Sequence, residues 1–506
     1  MALTQLTWSA FSLVSTQSLV IGIIVLLLLA VKSSLRPRKM PPGPIPIPFY
    51  GNIISDALPH TDYTNLSKTY GDVFSVKLGR HYMVVLNSAD VIKEALVKKA
   101  NDYAGRPKRL LYDILSEKRQ NIMFGDYDNN WKFLRKMTHK ALRNYVTGEN
   151  LERLIVDSVF PQLQESIDET DGKPFDPRPV VLSMVSTVIA SLCFGRNYAP
   201  SDPEFQQVMD MIDNIFHKVG NGLLEDSLPF LKFFPMKRRR ELKENADKFA
   251  NFIQGKIDEH RKDFDPDNLK DFIDNMIKLQ QDEAVTDGDE DDQSLFTDVQ
   301  LRQTINDMFI AGTDTTGNSL YWAIAYMVNY PDVQVKVQEE IDDVIGHDRY
   351  PKLSDRQEMP YCDAVIRELM RIKPVAALAI THSTTCNTSI GEYEIPKDTL
   401  VTVNLSAAHR SEKYWENPEE FRPERFIDLK TKERKTPDSF MPFSMGRRVC
   451  VGEVVAKAEL FLIFTGLFQQ YRFSAPPGRE PPGLDEFCEA LVLRCYPYEV
   501  VAKKRC

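Results

Sequence analysis

The stretch FSMGRRVCVGE, Phe443 to Glu453, holds one cysteine, Cys450, with two arginines close before it and a glycine on each side. A cysteine in so cramped and basic a setting is either core filling or a thiolate held for chemistry. A second stretch, AGTDTTG (311–317), sets two glycines, three threonines and Asp314 inside a strongly apolar run. These are poor helix formers, and threonine hydroxyls can bond to the preceding turn and bend a helix. The patch reads as a tolerated kink or as the wall of a cavity. In YCDAVIRELMRIKP (361–374), Glu368 and Arg371 lie three apart on one helix face. Taken alone, the pair is a surface salt bridge of little energy. Arg425, in NPEEFRPERF (417–426), can reach back to Glu368. WKFLRKMTHKALR (131–143) spaces Trp131 and Arg135 by four and shows a cationic face of Lys132, Arg135, Lys136, Lys140 and Arg143. That face is a solvated helix, an anion site or a dock for an acidic partner.

These groups need elements to hold them. Residues 298–329, closed by Pro331, form one apolar run of helical spacing, a helix of about 48 Å that would cross a whole domain. VVLSMVSTVIASLCFG (180–195) reads as a buried helix ending at Gly195. VFSVKLG and HYMVVLN (73–79 and 81–87) read as a hairpin. PPGPIPIP (41–48) is a stiff, extended connector. DEAVTDGDEDD (282–292) is a solvated acidic loop rather than a metal site. DSLPFLKFFPMKRRR (226–240) interleaves aromatic and basic residues, as core followed by a turn or as a shallow membrane contact. The sum is one large, mainly α domain with a small β part.

Composition narrows the classes. The chain has 506 residues, 43% apolar and 27% charged, enough to bury a large core around a ligand. A net charge of −9 gives no basic field for nucleic acid. Seven scattered cysteines without a C-x-x-C pair argue against zinc ribbons, cysteine-rich clusters and a disulfide framework. Residues 1–31 carry no charge, and 12–31 are long and apolar enough to span a bilayer. Lys32, Arg36, Arg38 and Lys39 follow and place the remainder in the cytosol by the positive-inside rule. The rival, a cleaved signal peptide, is disfavoured by the charge-free start and the lack of a small-residue cleavage site.

Together these features resemble the cytochrome P450 haem-thiolate monooxygenases over essentially the whole chain. The family's haem loop, F-x-x-G-x-R-x-C-x-G, is matched by Phe443, Gly446, Arg448, Cys450 and Gly452. Its E-x-x-R is matched by Glu368 and Arg371, its P-E-R-F by 423–426, and its A-G-x-[DE]-T-[TS] by 311–316, all in the family's order. YAGRP, HSTT, IPKDT and GEVVAKAELFL resemble the animal microsomal group that holds steroid 17-hydroxylases and aromatic-hydrocarbon and drug oxidisers. RIKPVAALAITH leans towards the steroid 17-hydroxylases, with a departure at Ile380-Thr381, where many members have proline before the histidine.

The resemblance implies a cytochrome P450 fold, with a transmembrane signal anchor over 1–31, a basic and Pro-rich hinge over 32–48 and a haem-thiolate domain over 49–506. Cys450 would be the axial ligand of haem b, its thiolate favouring O–O cleavage and aided by the helix N-terminus that follows. Gly446 and Gly452 would allow close packing on the porphyrin, with Phe443 in the same loop. Arg448, Arg106, Arg135, Trp131 and His382 would hold the propionates. Asp314 and Thr315 would be the proton-delivery pair. Glu368, Arg371 and Arg425 would form a structural triad. Ile310, Ala311, Val375, Leu378 and Val492 are candidate contacts to a lipophilic substrate, steroid, other lipid or xenobiotic, with 17-hydroxylation the leading choice. Electrons would come from NADPH through a membrane-bound diflavin reductase, docked on the Trp131 helix, with cytochrome b5 as a further partner. The setting would be the endoplasmic reticulum membrane, with the catalytic domain facing the cytosol. A haem-binding sensor and an oxygen-independent isomerase stand as alternatives, and Arg447 is left as a partner contact.

Overall fold

The computed structural model describes residues 16–54, 58–147, 150–199, 201–219, 222–286, 296–428, 430–431, 433–489 and 492–505. Its axis is the helix Asp298–Asn329, 32 residues long, as the spacing predicts. Thr297 and Gln300 cap its start reciprocally: the Gln300 N–H donates to Thr297 Oγ1, and the Thr297 N–H donates to Gln300 Oε1. Buried residues cover most of its circumference. The helix Arg178–Phe194, stopped at Gly195, packs along it. A methyl group at Gly312 or Gly317 would lie 2.6 Å from the end of Ile189 or Leu182, so the two glycines of AGTDTTG serve that helix contact.

Three more helices carry named residues: Asn129–Thr147, Pro360–Ile372 and Glu453–Gln470. The hairpin forms from β1 (Val73–Leu78) and β2 (His81–Leu86) in the register Val73↔Leu86. Two strands from far along the chain complete its sheet: β3 (His382–Ser383) and β4 (Leu400–Val403), in the order β1-β2-β4-β3. β2 and β4 run parallel. This pairing brings His382 beside residues that precede it by hundreds of positions.

The Pro-rich segment is seated on the domain rather than free. The Ser75 N–H donates to the Pro42 carbonyl at 2.6 Å, and Ser75 Oγ donates to the Pro41 carbonyl at 2.8 Å. The expected hinge at 32–48 therefore includes residues hydrogen-bonded to β1.

The expected membrane-spanning helix is not recovered as such. A 19-residue helix covers Thr16–Ser34, and Leu19, Ile21, Leu27 and Leu28 on it are exposed. Its uninterrupted apolar run, 19–31, measures about 20 Å against a hydrocarbon core of about 30 Å. Among the described residues no helix is long and apolar enough to cross a membrane. The first part of the expected anchor lies outside the described residues, as does the acidic loop from position 287 to 292.

Candidate active site

A buried carboxylate starts the scaffold. Glu368 accepts from Arg371 Nε and Nη2 at 2.7 and 2.8 Å, from Arg425 Nε at 3.0 Å and from the Arg422 N–H at 2.9 Å. Glu368 and Arg371 are fully buried. Arg371 Nη1 also donates to the carbonyls of His409 and Pro418. A pair that reads as a surface bridge in sequence is thus the centre of a buried network. Its reach extends to the cysteine loop, because His409 Nε2 accepts the Met441 N–H at 2.9 Å. Burial, with Arg371 nearby, pushes His409 down to about 3, so the ring is neutral and can accept.

From Met441 the chain turns back on itself, and the Cys450 N–H donates to the Phe443 carbonyl at 3.0 Å. Gly446 has φ +77°, and a Cβ there would lie 1.8 Å from the Leu96 carbonyl oxygen. That backbone contact alone requires a glycine at 446. Gly452, at φ −86°, caps the next helix and lines the same cavity as Cys450. The N–H groups of Gly452 and Glu453 and the Arg135 guanidinium favour a thiolate at Cys450, but burial outweighs them and pushes the thiol up. A cation at Sγ would complete the site.

Arg448, Arg106 and Arg135 gather above this loop. Arg448 donates to the carbonyls of Ala104, Ile122 and Gly125 at 2.8, 3.2 and 2.8 Å. Arg106 donates to those of Met123, Ile380 and Thr381, and Arg135 to that of Val449. Every hydrogen bond described for the three goes to a backbone carbonyl. Burial and mutual repulsion lower Arg448 to about 8 and Arg106 to about 10. Buried cations without a counter-charge are costly, and Arg106 and Arg448 line the cavity. The donor set fits a ligand that brings carboxylates.

Two expected members of that set stand otherwise. Trp131 Nε1–H is spent on the Ile122 carbonyl at 2.9 Å, so the indole is a platform, with Arg448 3.9 Å and Arg135 5.5 Å from its ring centre. His382 Nδ1–H donates to the Tyr103 carbonyl at 2.8 Å, and burial with Arg106 and Arg448 holds it well below its ordinary pKa. The neutral ring then offers the cavity an acceptor, and it becomes a donor there only when protonated. Arg447 is exposed and donates to Asn101 Oδ1 at 3.1 Å, an internal contact.

The cavity encloses about 1210 Å³ free of protein atoms, counting its mouth. Ala311, Gly312, Thr315 and Thr316 form one wall and Cys450 lies among the residues facing it. Thr315 Oγ1 donates to the Ala311 carbonyl at 2.8 Å, leaving its lone pairs as acceptors. Asp314 is turned away: its Oδ1 accepts from Arg494 and from Asn318, both at 3.0 Å, and it does not line the cavity. Of the expected substrate contacts, Ala311 and Val375 line it. Ile310, Leu378 and Val492 do not. Leu378 packs with Tyr63 and Phe74 under the sheet, and Val492 is buried in the strand Val492–Cys495. A loop residue's facing depends on the pairing of its strand neighbours, which spacing does not reveal.

Sequence reasoning missed Ile189, Leu192 and Met308 of the lining, and two acids. Asp307 accepts from Asn121 Nδ2 and from the N–H groups of Ile122 and Met123 at 2.7, 2.9 and 3.0 Å. Glu459 is buried at the cavity wall.

The cytochrome P450 family model matches residues 41–502. The chain belongs to the cytochrome P450 family. Steroid 17-alpha-hydroxylase/17,20 lyase of Rana dybowskii is 36% identical over 449 residues, covering 88% of this chain and 86% of that protein. Cytochrome P450 2U1 of Mus musculus is 35% identical over 514 residues, covering 96% and 95%. A zebra fish cytochrome P450 with progesterone superposes with a TM-score of 0.79 at 34% identity, covering 88% of this chain and 99% of that one. This P450 is a haem b monooxygenase supplied with electrons from NADPH through a reductase, and the sensor and isomerase readings are not favoured. Bound haem supplies dioxygen activation, which the thiolate ligand promotes.

Proposed function

We propose that this P450 hydroxylates a steroid, with 17-hydroxylation as its leading activity. The observation that carries the reading is the apolar lining of Ile189, Leu192, Met308, Ala311 and Val375 in the cavity that Cys450 also lines. Support comes from the relatives that are steroid 17-alpha-hydroxylase/17,20 lyases and from the neighbour with progesterone. An apolar cavity with few polar groups selects by shape. Ile380, next to the position where many members of the family have proline, lines it and so adjusts that shape.

In this reading Cys450 ligates the haem iron. Arg448, Arg106 and Arg135 hold the propionates, over Trp131 and beside His382. Thr315 positions a proton at the cavity wall, and Asp314 acts behind it through Arg494. Glu368, Arg371 and Arg425 hold the proximal loop. The apolar N-terminal helix associates with the endoplasmic reticulum membrane, joined through the seated Pro-rich segment to a cytosolic catalytic domain. The exposed Phe230, Phe233 and Phe234 add contact on the same bilayer. A diflavin reductase, and cytochrome b5, dock on the exposed Lys132, Lys136 and Lys140.

Product identification from a panel of steroids and fatty acids, with reductase and NADPH, tests the assignment. Conversion of progesterone to its 17-hydroxylated product is expected. Turnover of fatty acids alone would replace the steroid reading with a lipid one.

A further inference from the structure

Asp363, on the helix Pro360–Ile372, is 1% exposed and carries three arginines. Arg356 Nε lies 2.7 Å from its Oδ1, and Arg367 Nε and Arg434 Nε lie 2.7 and 3.3 Å from its Oδ2. Every ion pair described for the three goes to this one carboxylate. Three positive charges thus meet one negative charge, and the cluster keeps a cationic surplus. The fold gathers it from separate segments: the turn Leu353–Glu358, the helix Pro360–Ile372 and the loop that follows Pro423–Phe426. All three arginines are part-exposed, so the surplus is open to an anion from solvent.

One hydroxyl stands at this surplus. Arg367 Nη1 donates to Thr436 Oγ1 at 2.6 Å. Thr436 is exposed, and 435–437 belongs to neither helix nor strand. Its sequence setting is singular: of the 31 prolines in the chain, Pro437 alone follows a serine or threonine. Arg434 and Lys435 precede it. Proline holds the residue before it in extended backbone, the form in which a chain lies in the cleft of a protein kinase.

We propose that Thr436 is a phosphorylation site and that Arg367 and Arg434 hold its phosphate. In the transfer, Thr436 Oγ1 bonds to the γ-phosphorus of ATP as that phosphorus parts from the ADP oxygen. ADP leaves, and the hydroxyl proton passes to the base of a proline-directed kinase and on to water. The phosphate brings a charge of about −1.5 to −2, which offsets the surplus of the cluster. Its oxygens match the fork of a guanidinium.

The modification acts on the approach to the haem loop. The Phe440 N–H donates to the Pro437 carbonyl at 2.9 Å, and the Met441 N–H to His409. A phosphate tied to Arg367 fastens this segment to the helix that carries Glu368 and Arg371, as a second tie beside His409. The other charges of the segment have partners of their own: Lys435 pairs with Asp428 at 3.0 Å and Asp438 with Lys93 at 2.9 Å. Glu433 accepts from Thr431. The inference is independent of the steroid assignment.

The test incubates the haem-loaded protein with ATP and a cyclin-dependent kinase and maps phosphate by mass spectrometry. Thr436 should be modified, and Thr436→Val should lose that phosphate while keeping its carbon monoxide difference spectrum. Phosphorus NMR then reads the second ionisation of the phosphate, near about 6 in a free phosphopeptide of residues 430–441. In the folded protein the arginines favour the dianion, so the midpoint should fall by about one unit. Arg367→Gln should return it towards the peptide value. Hydrogen exchange at the Phe440 amide should slow about three- to tenfold on phosphorylation. Absence of phosphate from Thr436 of the folded protein, a midpoint equal to that of the peptide, or unchanged exchange would each overturn the proposal. If Arg367→Gln does not fold, Arg434→Gln must shift the midpoint in the same direction, and an unmoved midpoint there overturns it.

Discussion

The Met441 N–H donates to Nε2 of His409 at 2.9 Å, and His409 gives its own carbonyl to Arg371 Nη1 at 2.9 Å. Through this one ring the Glu368 network and the Cys450 loop are a single construction. Glu368→Ala should abolish haem incorporation, because breaking a buried ion pair costs about 3–5 kcal/mol. Haem-to-protein ratio and the carbon monoxide spectrum report it. Substrate selectivity in any residual holoenzyme should be unaltered.

The same ring sets a pH dependence. His409 in the folded protein titrates near 3, against about 6.5 unfolded. The unfolded chain therefore binds the extra proton first, and the stability tied to a neutral ring is complete above about pH 6.5 and declines as pH falls towards 3, by up to about 1.4 kcal/mol per unit. His382 acts in the same direction. Thermal unfolding followed across this range should show a shallower acid limb for His409→Gln, which keeps an acceptor for Met441.

Arg448 makes three hydrogen bonds and stacks on Trp131. A lysine offers neither the fork nor the plane. Arg448→Lys should accordingly lose haem to a scavenger protein nearly as fast as Arg448→Ala, and both at least about tenfold faster than wild type. A lysine variant with wild-type retention would mean that charge alone suffices.

Thr315→Ala removes an acceptor from the cavity wall while losing one bond to the Ala311 carbonyl. Haem content should be kept and hydrogen peroxide should rise at the expense of product. Product per electron equal to wild type would count against a proton-positioning role.

Asp307 holds Ile122 and Met123, and Met123 in turn accepts from Arg106. In Asp307→Ala these amides lose their acceptor at about 1–3 kcal/mol. Their hydrogen exchange should quicken about 10- to 100-fold, with exchange in the central helix core unchanged.

Reversing charge at Lys132 and Lys136, both exposed, should slow the first reduction at low salt, with the difference shrinking as salt screens it. Stopped-flow reduction rates decide this, and equal rates at low salt would exclude the surface.

Much was determined by the sequence alone. The bounds of the central helix follow from apolar spacing and Pro331, and the β1–β2 hairpin from two adjacent apolar strands, because both are local patterns. Cys450, Glu368 and Arg371 stand out because their spacing is fixed by one loop and one helix turn. Only the tertiary structure decided what each side chain faces. Glu368 and Arg371 look like a surface pair until the 409–425 segment closes over them. Trp131 has a free N–H in sequence and spends it on Ile122 in the fold. Asp314 and Glu459 are both acids on long helices, and neither spacing nor composition distinguishes them. Arg494, nearly two hundred residues from Asp314, pairs with that acid, while Glu459 stays buried at the cavity wall, because ion pairing and burial are set by which distant segments meet.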